Sequence, residues 1–176
     1  VFCFSLPPQY RFMPLFGPNV QFDFATPLEL IRYAVLSLIL VMAGVLYIRT
    51  FYWTHNLFQS IKLPTYIKSA LGGLLAGLVG LGIYFMGGRN EQLLAVLGGG
   101  YGMLQSAFSD AGSLAASTLV IVALVKIVTT SLTIGSGGSG GVFGPSMVIG
   151  GCLGGATGKL LQVIMPQIVT QPATYA

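Results

Sequence analysis

Apolar residues in this chain come in long blocks. They show neither the strict alternation of a half-buried strand nor the three-four spacing of a soluble amphipathic helix. The first block runs from Leu28 through Ile48 and is broken only by Glu29 and Arg32 near its entrance. As a helix, about 20 such residues cross ~30 Å of hydrocarbon. Its start is marked by Thr26-Pro27-Leu28-Glu29, which offers an N-cap hydroxyl, a proline at the first helical position and a glutamate three residues after the cap. Nothing breaks the helix before Pro64, so it is expected to reach about Ile61. Arg49, Tyr52, Trp53 and His55 would mark its exit at the membrane interface. A second block covers Ser69 to Met86. Its Gly73-xxx-Gly77 spacing predicts that another helix packs closely there. The third runs from Leu114 to Ile134 with Lys126 inside it, and the fourth from Val142 to about Met165, ended by Pro166.

Between the second and third blocks the pattern changes. Residues 87–112 hold only short apolar pieces, Glu91–Leu97 and Tyr101–Phe108, on either side of Gly98-Gly99-Gly100. Each is too short to span a bilayer, so they read as short or re-entrant helices around a bend. Such backbone survives at membrane depth only where protein or a water-filled cavity surrounds it. Residues 1–25 are broken by Pro7, Pro8, Pro14 and Pro18 and read as an irregular interfacial lead-in. Residues 26–165 form one transmembrane helical region, and 166–176 a polar tail. The start, with neither Met nor a signal peptide, is expected of a piece of a longer chain.

Composition strengthens the membrane reading. Hydrophobic residues make up 54% of the 176 and charged residues 7%, against about 25% charged in soluble domains. The eight basic and four acidic residues are scattered singly, which excludes a nucleic-acid-binding patch. Cys3 and Cys152 lack metal-site or disulfide-framework spacing, so no metal and no cofactor are expected. Cys152, in an apolar glycine-rich run, reads as a small buried thiol.

The stretch that carries chemistry is Gly135 to Pro145, GSGGSGGVFGP. Its first six residues match GxGxxG, but a dinucleotide fold requires a strand before them, and here a transmembrane-length run precedes. Gly137 to Gly141 match GxSxG, yet a nucleophile at Ser139 would need an acid and then a histidine downstream. The single histidine, His55, lies upstream, and no Asp or Glu follows Asp110. An intramembrane serine hydrolase is therefore a remote alternative, and no enzyme is expected. The reading that survives concerns the backbone. A glycine-rich break opens a helix at Val142-Phe143-Gly144-Pro145. The first amides of a helix have no internal acceptor and sit at the positive end of its dipole, which makes an anion site without a full positive charge. Conduction needs binding that is favourable but not strong. A tight turn joining two spans remains open on spacing alone. So does a different secondary transporter with a broken helix at mid-membrane.

Residues 125–158, VKIVTTSLTIGSGGSGGVFGPSMVIGGCLGGATG, resemble the GxFxP region of the CLC family of chloride channels and chloride/proton antiporters, with the motif at Gly141-Val-Phe-Gly-Pro145. Residues LELIRYAVLSLILVMAGVLYIRTFYWTHNLF are similar to the last helix of that family's first inverted half. KSALGGLLAGLVGLGIYF and GGGYGMLQSAF are similar to the helices that open the second half. The likeness covers roughly residues 20–165, in order. It implies an all-α, polytopic membrane protein with tilted and broken helices, part of an inverted-repeat transporter fold. The transported ion would be chloride, held by amides at helix N-termini. The anion site would be Gly141, Val142, Phe143, Gly144 and Pro145, with the Val142 and Phe143 amides facing the central anion. The family's GSGxP and GxEGP motifs and its C-terminal tyrosine have no counterpart in this chain, so the chain alone is not expected to conduct. The resemblance further implies a homodimer of the full-length protein in the cell membrane, with the apolar Ala34–Leu46 run near the subunit interface.

Three other residues stand out. Lys126, inside the third block, is a candidate vestibule charge, since an intramembrane lysine snorkels, pairs or attracts anions. His55 reads as an interfacial side chain. Glu91 and Asp110 flank the re-entrant region and would face water.

Overall fold

The computed structural model describes residues 29–88, 91–104 and 115–164. The lead-in, the Thr26-Pro27 cap, Asp110, the polar tail and the side chains of Glu29 and Glu91 lie outside the described residues.

Four long helices make up the described structure. They are α1 (Glu29–Ser60), α2 (Thr65–Met86), α3 (Ala116–Gly135) and α4 (Phe143–Ile164), with a 3₁₀ helix at Glu91–Val96 between α2 and α3. A helical turn at 101–104 follows the glycine bend. α1, α2 and α3 are each long and apolar enough to cross a membrane. The end of α1 at Ser60 falls within a residue of the sequence expectation. α2 starts four residues earlier than expected because Pro64, extended at ψ 147°, releases the helix directly after itself.

The helices differ in what covers them. Half of the most apolar window of α3 is buried, against 17% for α2 and 11% for α1. α3 is therefore the central post, packed against α1, α2, α4 and the 3₁₀ helix. The core lies between α3 and α4, where Leu119, Val122, Ala123 and Ile127 meet Val148, Ile149, Cys152, Leu153 and Ala156. Leu93, Val96 and Met103 close it from the bend side. Cys152 is a free, fully buried thiol, as its context predicts. Two buried hydroxyls donate back along their own helices, Ser131 of α3 to Ile127 O at 2.7 Å and Thr157 of α4 to Leu153 O at 2.7 Å. Neither leaves a polar atom unsatisfied in the core.

The close approach on α2 falls one residue away from the expected glycine pair. Gly73 and Gly77 have open space where a Cβ would stand, whereas Gly72, Ala76 and Gly80 form the buried face. A Cβ on Gly72 would lie 2.1 Å from Ser136 Oγ and 2.4 Å from Leu132 O at the end of α3. One on Gly80 would strike the Leu97 side chain at 2.3 Å. Small-xxx-small spacing recurs at both registers of this glycine-rich helix. Only the partner surface selects between them.

This register makes a prediction. Gly72→Ala drives a methyl into backbone and should destabilise the protein by about 1–3 kcal/mol, the usual size of overpacking. Gly73→Ala should stay within about 0.5 kcal/mol. Thermal unfolding of the two variants in detergent checks the order.

Candidate anion site

The site is built from two helix ends. α3 ends at Gly135, with Ser136 as its C-cap. Gly137 then takes the left-handed conformation, φ 98°. Its N–H donates to Ile134 O at 3.0 Å, and the Gly138 N–H donates to Thr133 O at 3.2 Å. This pair of bonds is the Schellman ending, which calls for glycine at the first position past the cap. At Gly138 a Cβ would lie 2.3 Å from Thr133 O, so a second glycine is needed there. Ser136 Oγ donates to Thr133 O at 3.0 Å, and His55 Nδ1 lies 3.2 Å from Gly135 O. The carbonyl end of α3 is thus closed by its own loop and by α1.

His55 is half-buried. Its ring caps a helix that begins 61 residues further along the chain, a partner that the interfacial reading did not include. The sequence held no signal for that pairing.

Seven residues later the amide end of α4 begins. Helix starts at Phe143, and the Ser146 N–H reaches back to Val142 O at 3.0 Å, with Ser146 Oγ on the same oxygen at 2.7 Å. The amides of the first turn have no acceptor within the helix, and Pro145 removes one of the four. Gly141, Val142 and Phe143 are exposed, Phe143 at 75%. Gly144 and Pro145 are half-buried. The five predicted residues therefore sit together at one helix start.

Two cavities flank that start. One, of about 160 Å³, is lined by Gly140, Gly141 and Pro145, by Val96, Leu97 and Gly98, and by Lys126 and Thr129. The second, of about 190 Å³, lies between Val142 and Ser146 of the α4 start and Tyr47, Phe51 and Tyr52 of α1. A water molecule takes up about 30 Å³ of liquid, so either cavity accommodates small hydrated species. Ser139 is exposed. Among the described residues no group of His, Cys, Asp or Glu is placed to hold a metal ion.

Lys126 lines the first cavity but is only 2% exposed. Its ammonium donates to Ala95 O at 3.1 Å, to Val96 O at 3.3 Å and to Gly98 O. A residue that sequence reading did not single out also borders the site. A methyl on Gly144 would lie 2.8 Å from Tyr101 Oη. The phenol at the end of the glycine bend therefore rests against the second residue of α4.

The profile of the voltage gated chloride channel family matches residues 9–176. The chain belongs to this family. It is 30% identical over 156 residues to a chloride channel protein described as ClcB-like from Ralstonia nicotianae, covering 89% of this chain and 34% of that protein. It is 30% identical over 145 residues to the H(+)/Cl(-) exchange transporter ClcA of Yersinia pestis, covering 82% and 28%. To the chloride channel protein CLC-f of Arabidopsis thaliana it is 30% identical over 169 residues, covering 89% and 20%. The chain thus spans about a third or less of the length of these relatives. No solved structure matches it significantly. Membership of the CLC family, with three membrane-length apolar helices, makes this an integral, multi-pass membrane protein.

The Tyr101–Gly144 contact predicts a rescue. Gly144→Ala should cost about 1–3 kcal/mol by crowding the phenol oxygen. Tyr101→Phe should restore most of it, because the ring carbon behind that oxygen is 3.5 Å away. Thermal unfolding of the single and double variants is the measurement.

Proposed function

We propose that this chain supplies one helix-terminal part of a chloride pathway in a CLC channel or chloride/proton antiporter. The observation that carries the reading is the start of α4 at Phe143, directly after a glycine loop, at a point where Gly141, Val142 and Phe143 are exposed residues. Amides aimed at an anion from a helix start bind it through partial charges and aligned dipoles. The hold is moderate, and a transported ion must be released. The sequence from Gly135 to Gly158 has no cationic side chain that would trap the ion. The names of the relatives, a chloride channel and an H(+)/Cl(-) exchanger, agree with this chemistry.

Gly141 and Gly144 let the backbone approach the ion, and Pro145 shapes the first turn. The work is transport, with chloride as cargo. The remaining ligands come from parts of the full-length protein outside this chain. A homodimer belongs to the same proposal. It rests on the family resemblance, and α1 carries the exposed apolar run, with Leu38, Val41 and Met42 between 62% and 72% exposed, that such an assembly or the lipid would cover.

The test replaces the Phe143 peptide bond by an ester in the full-length protein, which deletes one amide donor and keeps the side chain. A hydrogen bond to an ion contributes about 1.5–3 kcal/mol. Chloride affinity should therefore fall roughly tenfold to a hundredfold in isothermal titration. Ser136→Ala and Ser139→Ala should have smaller effects. Unchanged affinity in the ester variant refutes the site.

A further inference from the structure

Lys126 is an intramembrane lysine beside the proposed anion site, so an attractive charge in a vestibule is the obvious role for it. Its geometry indicates another. An ammonium has three hydrogens to donate and no acceptor. Here three carbonyls, of Ala95, Val96 and Gly98, receive them, and the residue is 2% exposed. Those carbonyls lie at the C-terminal end of the 3₁₀ helix and the start of the glycine bend, where helix carbonyls lack internal partners. Thr129, one turn further along α3, donates to the same Val96 O at 2.9 Å. Two side chains from the central helix therefore grip one short segment.

That segment leads to the anion helix. After Gly98 the chain turns through Gly100 at φ 74°, where a Cβ would meet Val148 of α4 at 3.0 Å. The next residue, Tyr101, rests its hydroxyl against Gly144 in the first turn of α4. Val96 and Gly98 of the gripped segment, Lys126 and Thr129, and Gly141 and Pro145 of the α4 start also line one shared cavity.

We infer that Lys126 is a positioning residue for the anion site. With Thr129 it clamps the end of the 3₁₀ helix, and the clamp seats Tyr101 and the cavity wall against the first turn of α4. The inference deepens the chloride reading above and rests on it. It assigns Lys126 a mechanical role through Ala95, Val96 and Gly98, in place of direct attraction of the ion.

Thr129 separates the two roles, because it grips the same carbonyl and carries no charge. Thr129→Val and Lys126→Met are made in the full-length protein. Chloride binding is read by isothermal titration at low and high ionic strength, and hydrogen exchange is followed at residues 97–104. Thr129→Val should weaken chloride by about two- to tenfold, the effect of one neutral hydrogen bond. It should also speed exchange of the Leu97 and Leu104 amides, which bond to Leu94 O and Gly100 O. Lys126→Met should do both more strongly, by about tenfold or more in affinity, at either ionic strength. The double variant should bind no more than about twofold worse than Lys126→Met alone, because the two grips share one segment.

Wild-type affinity and exchange in Thr129→Val overturn the clamp, and so does a Lys126→Met defect that disappears at high ionic strength. If Lys126→Met fails to fold, Thr129→Val decides alone. Should the wild-type protein bind no chloride, the functional reading falls, and the exchange measurement still decides whether the clamp exists.

Discussion

One helix ends at Gly135 and the next begins at Phe143, and the surroundings of the site follow from how these two backbone ends are satisfied. Hydrocarbon offers no hydrogen bonds, so a helix that stops at membrane depth needs partners for its last carbonyls and first amides. The structure treats the two ends differently. At the end of α3 the carbonyls are taken up by Gly137, Gly138, Ser136 and His55. Seven residues further on, the first amides of α4 have no acceptor within their own helix, and the residues around them are exposed. A helix start whose first amides lack internal acceptors is suited to a mobile anion.

The packing around the site centres on α3. It is the most deeply packed of the three spans, and each neighbour meets it through a specific device. α2 approaches through Gly72, whose missing side chain admits Ser136 and Leu132 O. α1 approaches through Gly135, where a Cβ would come within 3.5 Å of backbone at Phe51 and His55. The 3₁₀ helix is tied by Lys126 and Thr129. Buried polar atoms of this kind are costly alone and stabilising when matched. Matching three carbonyls to one ammonium turns an expensive buried charge into a fixed point. α4, whose Gly151–Gly158 run is wholly buried, packs on this frame and holds its first turn in place.

Much of this was legible in the chain because the strongest signals are local. Block length and the scarcity of charge gave the membrane spans. Pro64 and the glycines after Ile134 gave the breaks, and the ordered likeness to the CLC family placed the GxFxP residues at a helix start, where they are found. What escaped reading was relational. The small-residue face of α2 sits at Gly72, Ala76 and Gly80, one register from the expected pair, because glycine is frequent enough there to satisfy both spacings. Lys126 announced itself as a buried charge, but its acceptors are main-chain carbonyls some 30 residues away, and main-chain atoms leave no trace in side-chain patterns. The same holds for His55 at Gly135 O. Tyr101 at Gly144 was hidden for another reason. A glycine that makes room for a distant phenol looks like any other glycine.

In the proposed pathway, backbone amides at the start of α4 hold the anion. Replacing chloride by bromide in crystals of the full-length protein and locating the anomalous signal tests it most directly. A bromide peak is expected within hydrogen-bonding distance of the Val142 and Phe143 nitrogens, with none on Lys126 Nζ. A peak on the lysine ammonium, with the α4 start empty, would contradict it.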